Sequence, residues 1–140
     1  MITIVTGIRA FNDPCMMDWA LKGLPWTITR LVSGNAPGTE RLGEMWARYE
    51  GVPVITFPHH RMHTGNALAA QIHAMVMGAQ GFVAFWDGEC DDTRYAIEYA
   101  SRRKLTIHTH VVYTNHYGGV RRNYGAKHLP NRVEDDEPPF

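Results

Sequence analysis

Five short apolar runs alternate along the chain with segments whose apolar residues recur at helical spacing. Ile2–Thr6, Thr27–Val32, Val52–Phe57, Phe82–Trp86 and Leu105–Tyr113 are rich in β-branched and aromatic residues, and most of them stop at a glycine or a turn, so each predicts a strand. Between them, Pro14 opens a helix that Asn12 or Asp13 can cap, with Met16, Trp19, Ala20 and Leu24 inward and Gly23 with Pro25 as its end. A second helix covers about Thr39 to Tyr49, carries Leu42, Met45, Trp46 and Tyr49 on one face, and ends at Gly51. The third covers Asn66–Met77, with Leu68, Ile72, Met75 and Val76 inward, and a fourth, capped by Asp91 or Asp92, runs to about Arg103 with Ile97 and Ala100 inward. Strands and helices alternating over short connections predict a single doubly wound α/β domain of Rossmann-like build. Its sheet has about five mostly parallel strands, with helices on both faces.

The chain of 140 residues has the length of one domain, and at 44% hydrophobic it can bury a core without a disulfide or metal to staple it. Residues 1–113 are read as that domain and residues 114–140 as an extended tail with an acidic, disordered end at Glu134-Asp135-Asp136-Glu137. Cys15 and Cys90 follow no metal-ligand spacing and are expected as free thiols. No secretory signal is apparent, and no apolar run approaches the roughly 18 residues a membrane span needs, so a cytoplasmic protein without a membrane partner is expected. Lys plus Arg equals Asp plus Glu at 14 each. A chain so balanced has no global field for nucleic acid, and an anion must be caught by a local site.

Open parallel sheets bind ligands at the carboxyl ends of their strands. Three strand-to-helix turns carry distinctive residues there: Gly7-Ile8-Arg9-Ala10-Phe11, Ser33-Gly34-Asn35-Ala36-Pro37-Gly38-Thr39-Glu40, and Asp87 to Thr93. Glycines let backbone approach a phosphate, and the following helix supplies unpaired N–H groups and the positive end of its dipole. Arg9 would add a charge-assisted fork to an anion. Thr39 and Thr93 can donate hydroxyl hydrogen bonds, and Asp87 or Glu40 can accept from ribose hydroxyls. The second turn is neither Gly-x-Gly-x-x-Gly nor a Walker loop, which disfavours dinucleotide dehydrogenases and P-loop NTPases. The histidines His59, His60 and His63, and the alternating His108 and His110, do not supply three convergent ligands by spacing, so no metal is expected. His60 or His63 could overhang the pocket from the loop after the third strand. Trp19, Trp46 and Trp86 are read as core-facing, with Trp86 equally suited to stack on a ligand beside Asp87. Arg102-Arg103-Lys104 complements the dipole at a helix C-terminus.

The segments Gly7-x-Arg9-x-Phe11, Val32 to Glu40, Trp46-Ala47, Gly51-Val52-Pro53-Val54 and Ala84-Phe85-Trp86-Asp87-Gly88 resemble the YspA-like branch of the SLOG superfamily. That superfamily also contains the LOG phosphoribohydrolases and the DNA-processing protein DprA. The resemblance covers about Ile2 to Val112. It implies a Rossmann-like fold that binds a nucleotide or nucleotide-derived small molecule, as a sensor or sequestering module without a cofactor, and relatives of this shape self-associate. The implied ligand-binding residues are Gly7, Arg9, Ser33, Gly34, Asn35, Gly38, Thr39, Glu40, Trp86, Asp87 and Thr93. Three departures stand out. Glu40 replaces the commoner Asp, Gln71-Ile72 replaces an Arg-Asn pair ahead of Met75, and Cys90-Asp91-Asp92-Thr93 keeps only the Thr of Ser-x-Gly-Thr. The alternative activity is an N-glycosidase of phosphoribohydrolase type, in which Glu40 would be the catalytic carboxylate. A third reading, a DprA-like nucleic-acid binder, is disfavoured by the neutral charge and rests only on Arg121, Arg122, Lys127 and Arg132.

Overall fold

The computed structural model describes residues 1–57, 65–114 and 120–121. Five parallel strands form one sheet in the order β3-β2-β1-β4-β5: β1 (Ile2–Gly7), β2 (Arg30–Ser33), β3 (Val54–Thr56), β4 (Gly81–Trp86) and β5 (Thr106–Val111). Helices α1 (Pro14–Lys22), α2 (Thr39–Glu50), α3 (Gly65–Met77) and α4 (Asp91–Arg102) connect successive strands. The doubly wound α/β architecture is therefore present. The sheet divides the apolar interior in two. Val5, Leu31, Val83 and Phe85 face a core that contains Met17, Leu21 and Ala47 of α1 and α2. Ile4, Val32, Phe82 and Ala84 face a core built with Ile72, Met75, Ala96 and Ala100 of α3 and α4. This alternation along each strand follows from the two-residue period of side-chain direction.

Strand boundaries differ from the sequence reading. β2 begins at Arg30, opposite Ile2. The Met1 ammonium donates to Thr27 O at 2.6 Å and Thr29 N donates to Met1 O at 3.0 Å. β3 begins only at Val54, since Pro53 has no N–H and Val52 N is used to cap α2 by donating to Ala47 O at 2.7 Å. β5 stops at Val111. Beyond it, β6 (Tyr113–Thr114) and β7 (Val120–Arg121) form a separate antiparallel ladder at the start of the segment read as an extended tail. His59, His60 and His63, Arg122, Lys127 and Arg132, and the acidic end all lie outside the described residues.

Two helix faces also correct the sequence reading. On α1, Asp13 caps the first turn by accepting from Met16 N at 3.1 Å, but Trp19 is 68% exposed, and Met16, Met17, Ala20 and Leu21 form the buried face. On α2, Met45 and Tyr49 are 61% and 89% exposed, whereas Thr39, Glu40, Gly43, Glu44 and Ala47 are buried. The helix lies close to the sheet because residue 43 is glycine: a Cβ there would stand 3.0 Å from Val5 Cγ1. Small and polar residues thus face the sheet. Leu42 and Trp46 are partly buried, and the Trp46 indole donates to Asp18 Oδ1 on α1 at 3.0 Å. α4 begins at Asp91 with Cys90 at its cap position and no side-chain cap. Asp91 and Asp92 instead occupy the first turn, where carboxylates complement the helix dipole. Among the described residues no helix is long and apolar enough to cross a membrane.

The edge strand β5 carries a histidine pair on the α1 side. The His110 ring stacks on Phe85 at 5.2 Å, meets Trp19 edge-on at 6.1 Å, and lies 4.8 Å from the His108 ring. Its buried Nε2 has no hydrogen-bond partner. Burial, with His108 adding to it, pushes His110 from its usual 6.5 to about 3, and burial also lowers His108. A folded-state value below the unfolded one means that the unfolded chain binds the extra proton. Stability is therefore fully present above about pH 6.5 and falls as pH drops toward 3, by about 1.4 kcal/mol per pH unit for the one group. Denaturant titrations across that window should show this slope, and His110→Phe, which keeps the stack on Phe85, should flatten it. An unchanged slope in His110→Phe would assign the acid sensitivity to other groups.

Candidate functional site

The strand order reverses at β1, whose neighbours β2 and β4 lead away in opposite directions, and a crevice opens at the carboxyl ends of such a pair. Here it is a cavity of about 620 Å³. Gly7 and Arg9 line it from the turn after β1, Glu40 from α2, and Asp87 and Thr93 from β4 and α4. Its floor is apolar: Leu68, Ile72 and Met75 of α3 meet Ile4 of β1 and Phe82 of β4. The cavity therefore runs from a polar mouth down into the core shared by α3 and α4.

Glu40 is the centre of the polar mouth. The residue is only 8% exposed, so its carboxylate needs donors to replace lost water. Thr6 Oγ1 on β1 donates to Glu40 Oε2 at 2.7 Å, and Ala36 N in the second turn donates to Oε1 at 2.9 Å. Gln71 closes the other side. Its Nε2 donates to Gly34 O at 3.1 Å and also to Phe57 O, tying the ends of β2 and β3 to α3. Gly34 sits between them. A Cβ there would stand 2.7 Å from Glu40 Oε1 and 2.8 Å from Gln71 Nε2, so only a residue without a side chain lets both groups converge.

The same turn needs left-handed backbone at two places, Asn35 with φ 62° and Gly38 with φ 83°. Arg41 Nε braces Asn35 by donating to its Oδ1 at 3.0 Å. Gly38 lies against the Arg9 backbone, where a Cβ would come within 2.2 Å of Arg9 O. Thr39 Oγ1 donates to Ile8 O at 2.7 Å. The first and second turns are thereby packed backbone to backbone, which holds Arg9 beside the α2 N-terminus.

The residues singled out from the sequence divide into two groups. Gly7, Arg9, Glu40, Asp87 and Thr93 meet around the cavity. Ser33 and Thr39 are fully buried with their hydroxyls engaged inside the protein. Ser33 Oγ donates to Glu44 Oε2 at 2.6 Å and accepts from Asn35 N at 3.0 Å. Gly34, Asn35 and Gly38 shape the turn without lining the cavity. Trp86 packs beside the site, its indole donating to Cys90 O at 3.0 Å and its ring 5.5 Å from the Arg94 guanidinium. Asp87 Oδ1 accepts from Glu89 N and Cys90 N, both at 2.9 Å, and so shapes the turn as well as lining the cavity. Thr6, Gln71 and Asp92 also line it and were not singled out as site residues. Thr6 reads as an ordinary strand residue and Gln71 as one polar position on a core helix. Among the described residues no three His, Cys, Asp or Glu side chains converge as a metal site, and both cysteines are free.

Comparisons with models of protein families, with curated proteins and with solved structures return no match for this chain.

The Thr6–Glu40 bond joins β1 to α2 at the mouth of the cavity. Thr6→Val keeps the shape of the side chain and leaves Glu40 with the Ala36 N–H alone. It should lower stability by about 1–3 kcal/mol, read from urea denaturation. An unchanged midpoint would show that the bond contributes nothing to folding.

Proposed function

We propose that the cavity at the carboxyl ends of β1, β2 and β4 binds a nucleotide or nucleotide-derived small molecule, and that the protein acts as a sensor or sequestering module. The observation that carries this reading is the cavity itself. At about 620 Å³ it falls within the roughly 300–1,000 Å³ of small-molecule sites, and it lies at the position where open parallel sheets take their ligands. An apolar floor suits a planar base, and a rim of Arg9, Glu40, Asp87 and Thr93 suits sugar hydroxyls and one anionic group. The resemblance of the three turns to the YspA-like branch of the SLOG superfamily supports the same ligand class. Binding rather than turnover is favoured by how the carboxylates are held. Glu40 accepts from Thr6 and Ala36, and Asp87 accepts from two backbone N–H groups. Both are braced as acceptors, the arrangement that positions a ligand.

Small molecules released on denaturing the purified protein, identified by mass spectrometry, would name a carried ligand directly. In thermal-shift titrations with nucleosides and nucleotides, Arg9→Ala should weaken binding of a ligand with an anionic group by about 1.5–3 kcal/mol. Arg9 is exposed, so the protein should fold as before. Equal affinity in parent and variant would remove Arg9 from the site.

The rival reading is cleavage of an N-glycosidic bond, with Glu40 stabilising the positive charge that develops on the sugar. Incubation with nucleoside monophosphates, followed by chromatography for free base, separates the two. The binding reading expects no release. Turnover on the order of 1 per second that disappears in Glu40→Gln would replace it with a hydrolase.

A further inference from the structure

The charge on the cavity wall is unsuited to a polyanion. Among the described residues its one lining guanidinium, Arg9, stands against three carboxylates, Glu40, Asp87 and Asp92. The first turn of α4, whose free N–H groups would otherwise attract a phosphate, already carries Asp91 and Asp92. In a crevice partly shielded from water, like charges a few ångströms apart repel more strongly than they would in bulk solvent.

Gln71 adds a second constraint, one of hydrogen-bond polarity. Both Nε2 contacts are to backbone carbonyls, which accept only, so the amide has one possible orientation. The nitrogen is turned into the protein. The oxygen Oε1 has no hydrogen-bond donor among the described residues, and Gln71 lines the cavity. Glu40 and Gln71 converge on the same point beside Gly34. The cavity wall includes Glu40, a carboxylate that already accepts from two protein donors, and Gln71, an amide whose oxygen can only accept.

We propose that this cavity selects a ligand rich in hydrogen-bond donors and poor in negative charge. The ligand is nucleoside-like, places an amino group against Gln71 and Glu40, and carries at most one anionic group, which Arg9 meets. This rests on the nucleotide-type reading above and assigns the charge and polarity of its ligand. A base with an oxo group in place of the amino group sets acceptor against acceptor, and leaving buried groups unpaired in this way costs more than the bond itself is worth. A triphosphate brings several charges to a wall whose described residues offer three carboxylates and one cation.

Calorimetric titrations without added divalent metal, using adenosine, inosine, cytidine, uridine, AMP and ATP as probes, test both parts. In whichever base pair binds, the amino member should bind at least about tenfold tighter than the oxo member. ATP should bind at least about tenfold weaker than AMP at low ionic strength, with the gap closing as salt screens the repulsion. Asp92→Asn, at an exposed position, should narrow the AMP–ATP gap, and Gln71→Met should abolish the amino–oxo preference. Because Gln71 also ties β2 and β3 together, that variant could fail to fold; the amino–oxo ratio of the parent protein and the Asp92→Asn result then decide. ATP binding as tightly as AMP, or an oxo base binding as tightly as its amino partner, overturns this inference while leaving the nucleotide reading in place. Failure of all six probes to bind overturns the nucleotide reading, and this inference with it.

Discussion

Glu40 is a nearly buried carboxylate at the carboxyl edge of a parallel sheet, and such a group must find donors to replace its lost water. It takes one from the Thr6 hydroxyl on β1 and one from the Ala36 N–H in the turn after β2. Beside it the Gln71 amide holds the ends of β2 and β3. Three adjacent strands and two helices on opposite faces of the sheet are thus tied at one place by polar bonds. The geometry of these bonds is far more specific than that of apolar packing, and the low local dielectric makes each one costly to break. The open mouth of the cavity keeps its shape because its wall is also a structural joint.

That dual role explains which features of the site were legible in the sequence. Glycine and turn residues after β1, β2 and β4 mark sharp changes of backbone direction, and the sheet order brings the three turns to one end. The fold was legible for a similar reason, since alternating strand and helix periods leave few other ways to bury both faces. The buried face of α2 was not. Periodicity selects Leu42, Met45, Trp46 and Tyr49 because they are apolar. The sheet instead receives Glu40, Gly43 and Glu44, because close approach at Gly43 and hydrogen bonds to Thr6 and Ser33 outweigh the apolar pattern. Trp19 was misread on α1 for a related reason: a large ring was assigned to the core, and the smaller Ala20 and longer Met16 and Met17 fill it.

Sequence resemblance and ligand contact also separate here. The hydroxyls of Ser33 and Thr39 belong to the most distinctive part of the second turn, yet both are fully buried and bonded to protein atoms. They keep the loop in register with α2 and with the Arg9 backbone. Arg9, Glu40, Asp87 and Thr93 of the distinctive turns do face the cavity, and they are joined there by Thr6 and Gln71, positions with little motif character. The buried part of such a motif sets the shape of the turn, and the side chains around the cavity set the chemistry of its wall.

The two faces of the sheet divide the work of the domain. On the α1 side the core is closed by large rings, with Phe11 stacked on Phe85 at 4.7 Å and His110 stacked on Phe85 at 5.2 Å. A neutral histidine is tolerated there because its ring packs as an aromatic, and acid is the condition that makes it costly. On the α3 and α4 side the apolar residues stop short of filling the space beneath Arg9 and Glu40, and the cavity takes their place. A void of that size lined by Leu68, Ile72 and Met75 forgoes packing that a closed core would gain. A ligand with an apolar body would recover part of that packing energy on binding, so its affinity would come from the floor and its selectivity from the charged rim. Under the proposed binding function, such a division would let changes at the exposed Arg9 or Asp92 retune selectivity without disturbing the core that holds the sheet together.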